Sequence, residues 1–485
     1  MTRPHLDLVP SWFVVLPDCP AAGPVADMLY DQATCATRHP SGRPWMLGRW
    51  PTAEFAVGVR GDTAIAVVGE HLLSDAALAG AAARVHTSGD LDGPARSWSG
   101  NFHLIASVSG RTRVQAPVSG FRRLIHAEVD GVTVAADRAD VLAALTGAAL
   151  DETRLAVMLL EPGAPYPIAG EPMWHGLSAV PPGFFLAVDG KGNHRLVRWW
   201  NAPEPAVPMA AGAEELRAAL STAVEVRTHG RELVSTDLGG VDTTSLCCLA
   251  SRGPADVVAY TWAPLDSGAD DAAWAQRTIS ALGNVEHHVV PSERTPFAFS
   301  GIGEQDDVPL DEPCAITLDR RWLVIADRAA ARGSRLHLTG FGGDQVLGGS
   351  VAHLHTLLRR RPWTAVRNLR GYVALNRWHY PTVLRQLVDN RSYQDWLLRF
   401  AAEVTAPPSS SLGPSFYWAK PVRLPPWVMP AAATAVRDLI RHTAPGTEPL
   451  GNGHGQHQEL ADLGTIARMT RNLGVLARQR GITLA

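Results

Sequence analysis

Lysine is almost missing from this 485-residue chain, which contains only Lys191 and Lys420. Arginine supplies the other 42 of the 44 basic residues, so a reaction that needs a lysine has two candidates at most. The formal net charge is −3, which gives no electrostatic reason to expect a nucleic-acid partner. The chain also lacks any run of about 18 apolar residues that could span a membrane, and any apolar N-terminal segment of signal-peptide length. These absences predict a cytoplasmic protein without a membrane span.

Cysteine is scarce as well, with five residues at positions 19, 35, 247, 248 and 314. Their number is odd, two are adjacent, and none is spaced as CxxC. This pattern argues against a disulfide framework and against a zinc site, and it favours a reducing compartment. We expect Cys247 and Cys248 to pack in the core, because nothing nearby in the sequence would activate a thiol.

The first part of the chain has the pattern of antiparallel strands. Alternating apolar segments flank turn residues in four places, and Asp130-Gly131 is the strongest hairpin signal because both residues tolerate positive φ. With short helices expected near residues 138–147 and 151–160, the pattern predicts an α+β domain over residues 1–205. The four expected hairpins cover residues 55–70, 101–116, 124–137 and 184–200.

A proline- and alanine-rich stretch over residues 201–213 has no hydrophobic period and is expected to link two domains. Strands and helices then alternate, which predicts a parallel α/β sheet with ligands at the carboxyl ends of its strands. Beyond about residue 351 the pattern is helical, and a glycine- and histidine-rich stretch over residues 451–458 is expected to form a mobile loop. The second domain thus covers residues 206–485.

The strongest chemical signal is the segment STDLGGVDTTSLCCLAS, residues 235–251. An apolar strand is followed by Gly239 and Gly240, and then by an aspartate and two threonines at the start of a helix. Glycines let backbone amides approach an anion, and a helix N-terminus adds partial positive charge. A double glycine alone fits an ordinary strand–turn–helix joint, but the ordered string G-G-x-D-T-T favours a phosphate site.

Both glycine-rich turns of the second domain end in an aspartate. Asp242 would repel a phosphate on direct contact, so its position suits a divalent cation placed between the two. The segment LHLTGFGGDQVLGG, residues 336–349, likewise runs from a strand through glycines to Asp344. If the two strands are neighbours in a parallel sheet, both carboxylates emerge at one edge and can share a magnesium ion, whereas Asp344 alone would be a helix cap. No lysine stands where a Walker loop needs one, which disfavours phosphoryl transfer of the kinase type.

These motifs resemble those of the asparagine synthetase superfamily. LGGVDTTS is similar to its pyrophosphate loop S-G-G-x-D-S-[ST], and TGFGGDQVLGG is similar to its second motif, S/T-G-x-G-[AG]-D-E-x-x-x-G. The acidic-pair helix that begins DDAAWAQ and the element LDEP (310–313) fit the same family. The resemblance implies an Ntn-hydrolase-like sheet domain followed by a PP-loop (HUP-type) parallel-sheet ATP-pyrophosphatase domain.

The resemblance also implies ATP-dependent amide formation through an acyl-adenylate, with ATP and Mg²⁺ as cofactors. Asp242 and Asp344 would hold the metal ion, and Thr339 and Gly340 would border the nucleotide. The residues that the resemblance implies in cofactor binding are Leu238, Gly239, Gly240, Val241, Asp242, Thr243, Thr244, Thr339 and Gly340.

Two substitutions indicate a branch of the superfamily. Glutamine-dependent members carry a cysteine after the initiator methionine, whereas this chain has Thr2, so its N-terminal domain is expected not to release ammonia from glutamine. The β-lactam synthetases have a proton-relaying tyrosine where this chain has Phe341. The sequence is most similar to actinobacterial lasso-peptide cyclases, which join the α-amine of a cleaved precursor peptide to an Asp or Glu side chain. This implies a precursor (core) peptide as substrate, and a leader-binding protein and a leader peptidase as partners.

Two departures from the family pattern affect the expected activity. Leu238 stands where the family has a small serine, or else the loop is one residue shorter. A family lysine that stabilises amide formation follows a P-F-L-D-like stretch, but this chain ends at RGITLA, and neither Lys191 nor Lys420 matches that lysine. The catalytic residue is therefore unassigned, and we expect the second domain to be truncated at its C-terminus, completed by a separate polypeptide, or inactive. We expect weak adenylation or none, because loss of one such donor costs about 10²–10³ in rate.

Other interpretations stay open at this point. They are an asparagine synthetase-like ligase that uses free ammonia, a β-lactam synthetase-like ligase, and a non-catalytic scaffold of a peptide-maturation complex. The arginines of the last helix are expected to form a solvated basic face rather than an anion site. They are Arg468, Arg471, Arg478 and Arg480.

Overall fold

The computed structural model describes residues 11–161, 163–263, 266, 268–297, 299–300, 311–312, 314, 317, 321–407 and 413–485. Within these residues, antiparallel sheets occupy the N-terminal part of the chain and a parallel sheet follows. This agrees with the predicted order of an α+β part and an α/β part. None of the helices in the described ranges is long and apolar enough to cross a bilayer.

The strands of the N-terminal part form two antiparallel sheets, within the described residues. The first sheet has the order β10–β8–β9–β1–β3–β2, and the second has the order β12–β11–β7–β6–β5–β4. The strands are β1 Trp12–Val15, β2 Cys35–Arg38, β3 Pro44–Arg49, β4 Phe55–Arg60, β5 Thr63–His71, β6 Gly100–Val108, β7 Arg111–Gln115, β8 Ile125–Val129, β9 Val132–Ala136, β10 Leu177–Ala179, β11 Phe184–Val188 and β12 His194–Arg198. The helices are α1 Gly23–Leu29, α2 Asp75–Ala82, α3 Asp92–Ser97, α4 Ala139–Thr146 and α5 Glu152–Val157.

The two antiparallel sheets bury their apolar side chains against each other. Phe13 of β1, Ala66 of β5 and Leu186 of β11 belong to one buried cluster between them. The predicted hairpins correspond to the pairs β4–β5, β6–β7, β8–β9 and β11–β12, and Asp130 and Gly131 both have positive φ, of 49° and 78°. The strands β1, β2, β3 and β10 were not among those predicted. Continuously buried apolar runs such as β1 do not alternate, and β2 and β10 have only 4 and 3 residues.

The second part of the chain forms a parallel sheet with the order β15–β14–β13–β16–β17. The strands are β13 Leu233–Asp237, β14 Asp256–Trp262, β15 Val285–Val290, β16 Leu336–Leu338 and β17 Thr483–Leu484. The helices are α6 Met209–Thr228, α7 Val241–Ala250, α8 Asp271–Leu282, α9 Arg321–Ala331, α10 Gly343–Leu347, α11 His353–Arg360, α12 Pro362–Asn376, α13 Tyr380–Leu387, α14 Tyr393–Glu403, α15 Pro430–Thr443 and α16 His454–Gln479. Helices α7 and α8 pack on one face of the sheet, and α9 and α16 on the other, as in a doubly wound α/β fold.

Two predicted boundaries are wrong. The linker predicted over 201–213 is already helical from Met209 onward, because alanines dominate its second half and favour helix. The loop predicted over 451–458 contains the first turns of α16, where His454 and His457 are buried. His454 stacks on His355 with ring centroids 3.6 Å apart, so these histidines act as core aromatics.

Candidate functional site

The first glycine turn (residues 238–244) continues directly from β13. Leu238 donates its backbone N–H to the Tyr260 carbonyl at 2.8 Å, and its own carbonyl accepts from the Thr261 hydroxyl at 2.7 Å. Its side chain is buried in the core between α7 and the sheet. Leu238 therefore closes the strand, and this arrangement does not support the prediction that it contacts a cofactor. The residues free to meet a ligand begin at Gly239.

The backbone that follows is a helix N-terminus. Gly240 is the N-cap of α7, and Val241 begins the helix with its side chain 82% exposed. Because a glycine has no side chain to cap with, the first N–H groups of α7 keep their partial positive charge available for an anion. The Thr244 N–H and the Thr243 hydroxyl both donate to the Gly240 carbonyl, at 3.0 and 3.1 Å. The Thr243 hydroxyl must therefore rotate before it can donate to a phosphate.

The second glycine turn (residues 339–344) follows the neighbouring strand. β13 and β16 pair in parallel with Ser235 opposite His337, so both turns leave the sheet at the same edge. Thr339 is buried and donates its N–H to the Ala485 carbonyl at 2.8 Å, beside β17. Its side chain, rather than its amide, is the group that remains available to a nucleotide.

Glycine and aromatic residues shape the middle of the second turn. The Phe341 ring packs against Trp322 of α9 with centroids 4.6 Å apart. Gly342 has a φ of +104° and is the N-cap of α10, and Asp344 lies in the first turn of that helix. Because side-chain-bearing residues are strained at this φ, Gly342 allows the chain to turn directly from the aromatic pair to Asp344.

The two turns pack against each other and bring their aspartates together. A Cβ placed on Gly343 would lie 2.2 Å from the Cγ and Oδ2 atoms of Asp242, and one placed on Gly340 would lie 2.7 Å from Cγ2 of Thr243. Only glycines allow so close an approach. The pKa of Asp242 is raised, first by burial and second by the negative charge on Asp344. The structure thus places both predicted aspartates at one edge of the sheet.

This pair of carboxylates fits a magnesium ion that is shared with phosphate. Among the residues that the structure describes, no group of three or more His, Cys, Asp or Glu side chains is arranged to hold a metal ion. Magnesium needs only one or two carboxylates where phosphate oxygens complete its shell. A cation here would also relieve the repulsion from Asp344 that raises the pKa of Asp242. The donor set therefore suits Mg²⁺ bound together with a nucleotide.

A third carboxylate lies close to the first turn. A Cβ placed on Gly239 would lie 3.3 Å from the Cβ of Asp271. Asp271 is the first residue of α8, while the adjacent Asp270 accepts a hydrogen bond from the Trp274 indole at 2.9 Å. The sequence marked this acidic pair as a family element, but nothing in the pattern indicated which of the two faces Gly239.

A chain of buried polar groups leads to the end of β13 and was missed by the sequence analysis. His337 lies between Ser235, whose Oγ is 3.0 Å from Nδ1, and Asp237, whose Oδ1 is 3.2 Å from Nε2. Ser334 extends the chain by donating to Ser235 at 3.2 Å. Asp237 and His337 also line a cavity of about 20 Å³, large enough for a water molecule, together with Thr339. The signal was a run of polar residues in an otherwise apolar strand.

The solvated basic face predicted for the arginines at the end of the chain is wrong for Arg471. Arg471 donates to the Glu312 carboxylate at 2.7 Å, and Arg480 lies 2.8 Å from Asp327. Glu312 is buried, so its ion pair withdraws Arg471 from solvent, whereas Asp327 and Arg478 are exposed. Thr2, and the residues Leu310 and Pro313 of the LDEP element, lie outside the described residues.

The two lysines lie on different parts of the molecule. Lys191 is exposed in the turn between β11 and β12, where its backbone N–H donates to the Asp189 carboxylate at 2.9 Å. Lys420 is exposed. Burial raises the pKa of Asp462 on α16, and the positive charge of Lys420 opposes that rise. The structure therefore gives no catalytic role to Lys191, which belongs to the N-terminal sheet.

Comparisons with known proteins match one family of proteins. The family model described as asparagine synthase matches residues 215–465, which include both glycine turns. A search of curated proteins found no match.

Solved structures show only distant likeness. An NH3-dependent NAD synthetase from Campylobacter jejuni is 18% identical, with a TM-score of 0.21 and coverage of 30% of this chain. The match spans 61% of that synthetase, less than two thirds of its length. An allosteric regulatory enzyme of purine biosynthesis is 10% identical (TM-score 0.25, covering 59% of this chain and 75% of that one). A glutamine phosphoribosylpyrophosphate amidotransferase from B. subtilis, complexed with ADP and GMP, is 9% identical (TM-score 0.26, covering 63% and 83%).

Proposed function

Because this chain belongs to the asparagine synthase family, we propose that it is an ATP-dependent carbon–nitrogen ligase that activates a carboxylate as an acyl-adenylate. A carboxylate oxygen attacks the α-phosphorus of ATP, and the bond to the β-phosphate breaks to release pyrophosphate. An amine nitrogen then attacks the acyl carbon, AMP leaves, and the nitrogen loses a proton. The observation that supports this proposal is the meeting of two glycine turns, each ending in an aspartate, at the carboxyl edge of adjacent parallel strands.

Each part of the site has a role in this reaction. The amides from Gly239 to Thr243, at the N-terminus of α7, would bind the leaving pyrophosphate. Asp242 and Asp344 would hold a magnesium ion, which supplies positive charge against the phosphates when it is bound. Thr339 and Gly340 would border the nucleotide. Fixed amides and a fixed cation favour the departure of pyrophosphate because they need no reorganisation when its charge develops.

The substrate that we favour is a precursor (core) peptide, closed into a lasso-type macrolactam. The enzyme would join the N-terminal amine of the peptide to an Asp or Glu side chain, with a leader-binding protein and a leader peptidase as partners in the cytoplasm. Support comes from Phe341, which packs on Trp322 and has no hydroxyl to relay a proton. We also propose that the two parts of the chain are an Ntn-hydrolase-like domain and a PP-loop (HUP-type) domain.

The products of the reaction test this proposal. The chain is incubated with Mg²⁺, ATP and a synthetic glycine–alanine peptide that has a free N-terminal amine and one aspartate. The proposal predicts AMP and pyrophosphate, together with a peptide that has lost one water. Production of ADP and orthophosphate, or unchanged amounts of AMP in the Asp344→Asn variant, would contradict it.

One observation keeps a second candidate open, a non-catalytic scaffold that binds a precursor peptide with its maturation partners. Among the described residues, the interactions seen for the two lysines are with Asp189 and Asp462, and neither is with a residue of the two glycine turns. Calorimetry separates the candidates, because a scaffold need not bind ATP at all. Binding of ATP that depends on magnesium and is lost in Asp242→Asn would favour the ligase.

A further inference from the structure

A turn of the N-terminal part of the chain reaches the second glycine turn. This turn, residues 119–123, is called the Phe121 turn below. A Cβ placed on Gly342 would lie 3.9 Å from Cζ of Phe121, which is van der Waals distance. Gly342 is the N-cap of the helix that carries Asp344. An aromatic ring from the N-terminal part therefore lies next to the backbone that leads into the proposed metal site.

Buried ion pairs centred on Glu312 hold the Phe121 turn in place. Glu312 is 7% exposed and lies between two arginines, with Arg123 at 3.3 Å and Arg471 at 2.7 Å. Burial alone would raise the pKa of Glu312, but these two guanidinium groups lower it, so the carboxylate stays charged. Asn472 adds a hydrogen bond at 3.2 Å. Glu312 thus links the Phe121 turn, through Arg123, to α16.

A second contact fixes the residue next to the ring. Arg471, on the opposite side of Glu312, also donates to the Gly120 carbonyl. Gly120 has a φ of +74°, and a Cβ there would lie 3.8 Å from the Cβ of Ala467 on α16. The backbone on both sides of Phe121 is therefore anchored to the second part of the chain. Arg471 holds the Gly120 carbonyl, and Glu312 pairs with the Arg123 side chain.

We propose that Phe121 is a positioning residue that keeps water away from the activated carboxylate by covering the second glycine turn. The N-terminal part would then contribute a wall to the ligase site. This inference rests on the proposed function. It assigns a role to the Phe121 ring, which lies outside both glycine-turn motifs of the sequence.

The wall matters because an acyl-adenylate can react in two ways. If an amine nitrogen attacks the acyl carbon, the C–O bond to AMP breaks and an amide forms. If water attacks instead, the same bond breaks, the free carboxylic acid returns with loss of a proton, and ATP is spent without product. Excluding water from such intermediates is a recognised task of closed active sites. An apolar ring suits this task, since it offers water no hydrogen bond.

Two measurements on Phe121→Ala test the inference, with Phe121→Leu as the matched control that keeps an apolar wall. The first is hydrogen exchange of the backbone amides in residues 340–346. Removing the ring should speed their exchange about tenfold, whereas Phe121→Leu should remain near the original rate. Amides of β2 and β3, at one edge of the first antiparallel sheet, serve as the internal reference and should not change.

The second measurement is AMP release with an amine-blocked probe. The glycine–alanine peptide with one aspartate is acetylated at its N-terminus, so water is the only available nucleophile. AMP release should increase about tenfold in Phe121→Ala and return toward the original rate in Phe121→Leu. Magnesium-dependent ATP binding, measured by calorimetry, should be equal in all three proteins, because the ring does not contact the proposed phosphate site.

The outcomes separate this inference from the proposed function. Suppose that Phe121→Ala still binds ATP but shows no change in amide exchange or in AMP release. The inference is then overturned and the ligase proposal survives. The same holds if neither the original protein nor Phe121→Ala releases AMP from the blocked peptide. If ATP does not bind at all, the proposed function fails first. Equal effects of Phe121→Ala and Phe121→Leu would also overturn the inference, because the leucine keeps the apolar wall.

Discussion

Gly343→Ala is the substitution for which the structure gives the clearest expected effect. A Cβ at this position would lie 2.2 Å from the Asp242 carboxylate, whereas ordinary contact needs about 3.4 Å. The carboxylate must therefore move by about 1.2 Å. Metal sites accept deviations of only about 0.2 Å in ligand distance. We expect the affinity for Mg²⁺ and ATP together to fall by about 10–100-fold.

Stability should change much less than affinity, because the group that must move is the end of a side chain. We expect the free energy of unfolding to stay within about 1 kcal/mol of the original value, since alanine is a better helix former than glycine. The matched control is Gly371→Ala in α12, where an added Cβ meets no atom within 4 Å. That variant should keep full affinity and gain a little stability.

Isothermal titration calorimetry with ATP, in the presence and absence of Mg²⁺, measures the effect of Gly343→Ala. If this variant binds with unchanged affinity, Asp242 does not take part in cofactor binding and the proposed site is wrong. If it unfolds while Gly371→Ala does not, the close contact is structural and the reasoning about ligand geometry fails.

Three further predictions concern stability. Burial raises the pKa of Asp137 to about 7, so the contribution of this group to stability is full below about pH 4 and is lost as the pH rises through 7. Asp137→Asn should therefore raise the melting temperature at pH 8 but not at pH 4. An equal effect at both pH values would contradict this prediction. Burial lowers the pKa of His454 to about 4, so stability should fall by up to ~3 kcal/mol as the pH falls from 6.5 to 4; urea unfolding of His454→Asn should show a weaker dependence. Leu238→Ser should cost about 2–5 kcal/mol without improving ATP affinity, because this side chain is buried in the core; tighter binding of ATP would refute that.

The main feature of the site could be predicted because it depends on a local pattern. Each of two segments runs from an apolar strand through glycines to an aspartate, and parallel strands end at a common edge. The structure pairs β13 directly with β16, and Asp242 and Asp344 then approach each other as expected. The pattern could not show that Leu238 is buried, because a leucine after a strand is equally compatible with a loop.

The remaining contacts depend on residues far apart in the chain. Glu312 and Arg471 are separated by 159 positions, and Phe121 meets Gly342 across an even longer distance in sequence. No periodicity links such pairs, so the arginine was assigned to a solvated face. Likewise, the aromatic packing of His454 depends on His355, which belongs to another helix. Single-sequence reasoning therefore predicted that the two glycine turns meet and missed the elements that enclose them.

The central claim is that Asp242 and Asp344 hold one cation beside a nucleotide. Calorimetry of Mn²⁺ binding in the presence of ATP, on Asp242→Asn, Asp344→Asn and the double variant, tests it directly. If the carboxylates share one ion, each single variant should lose most of the binding and the double variant should lose little more. Losses that add independently, or binding that survives both substitutions, would contradict the claim.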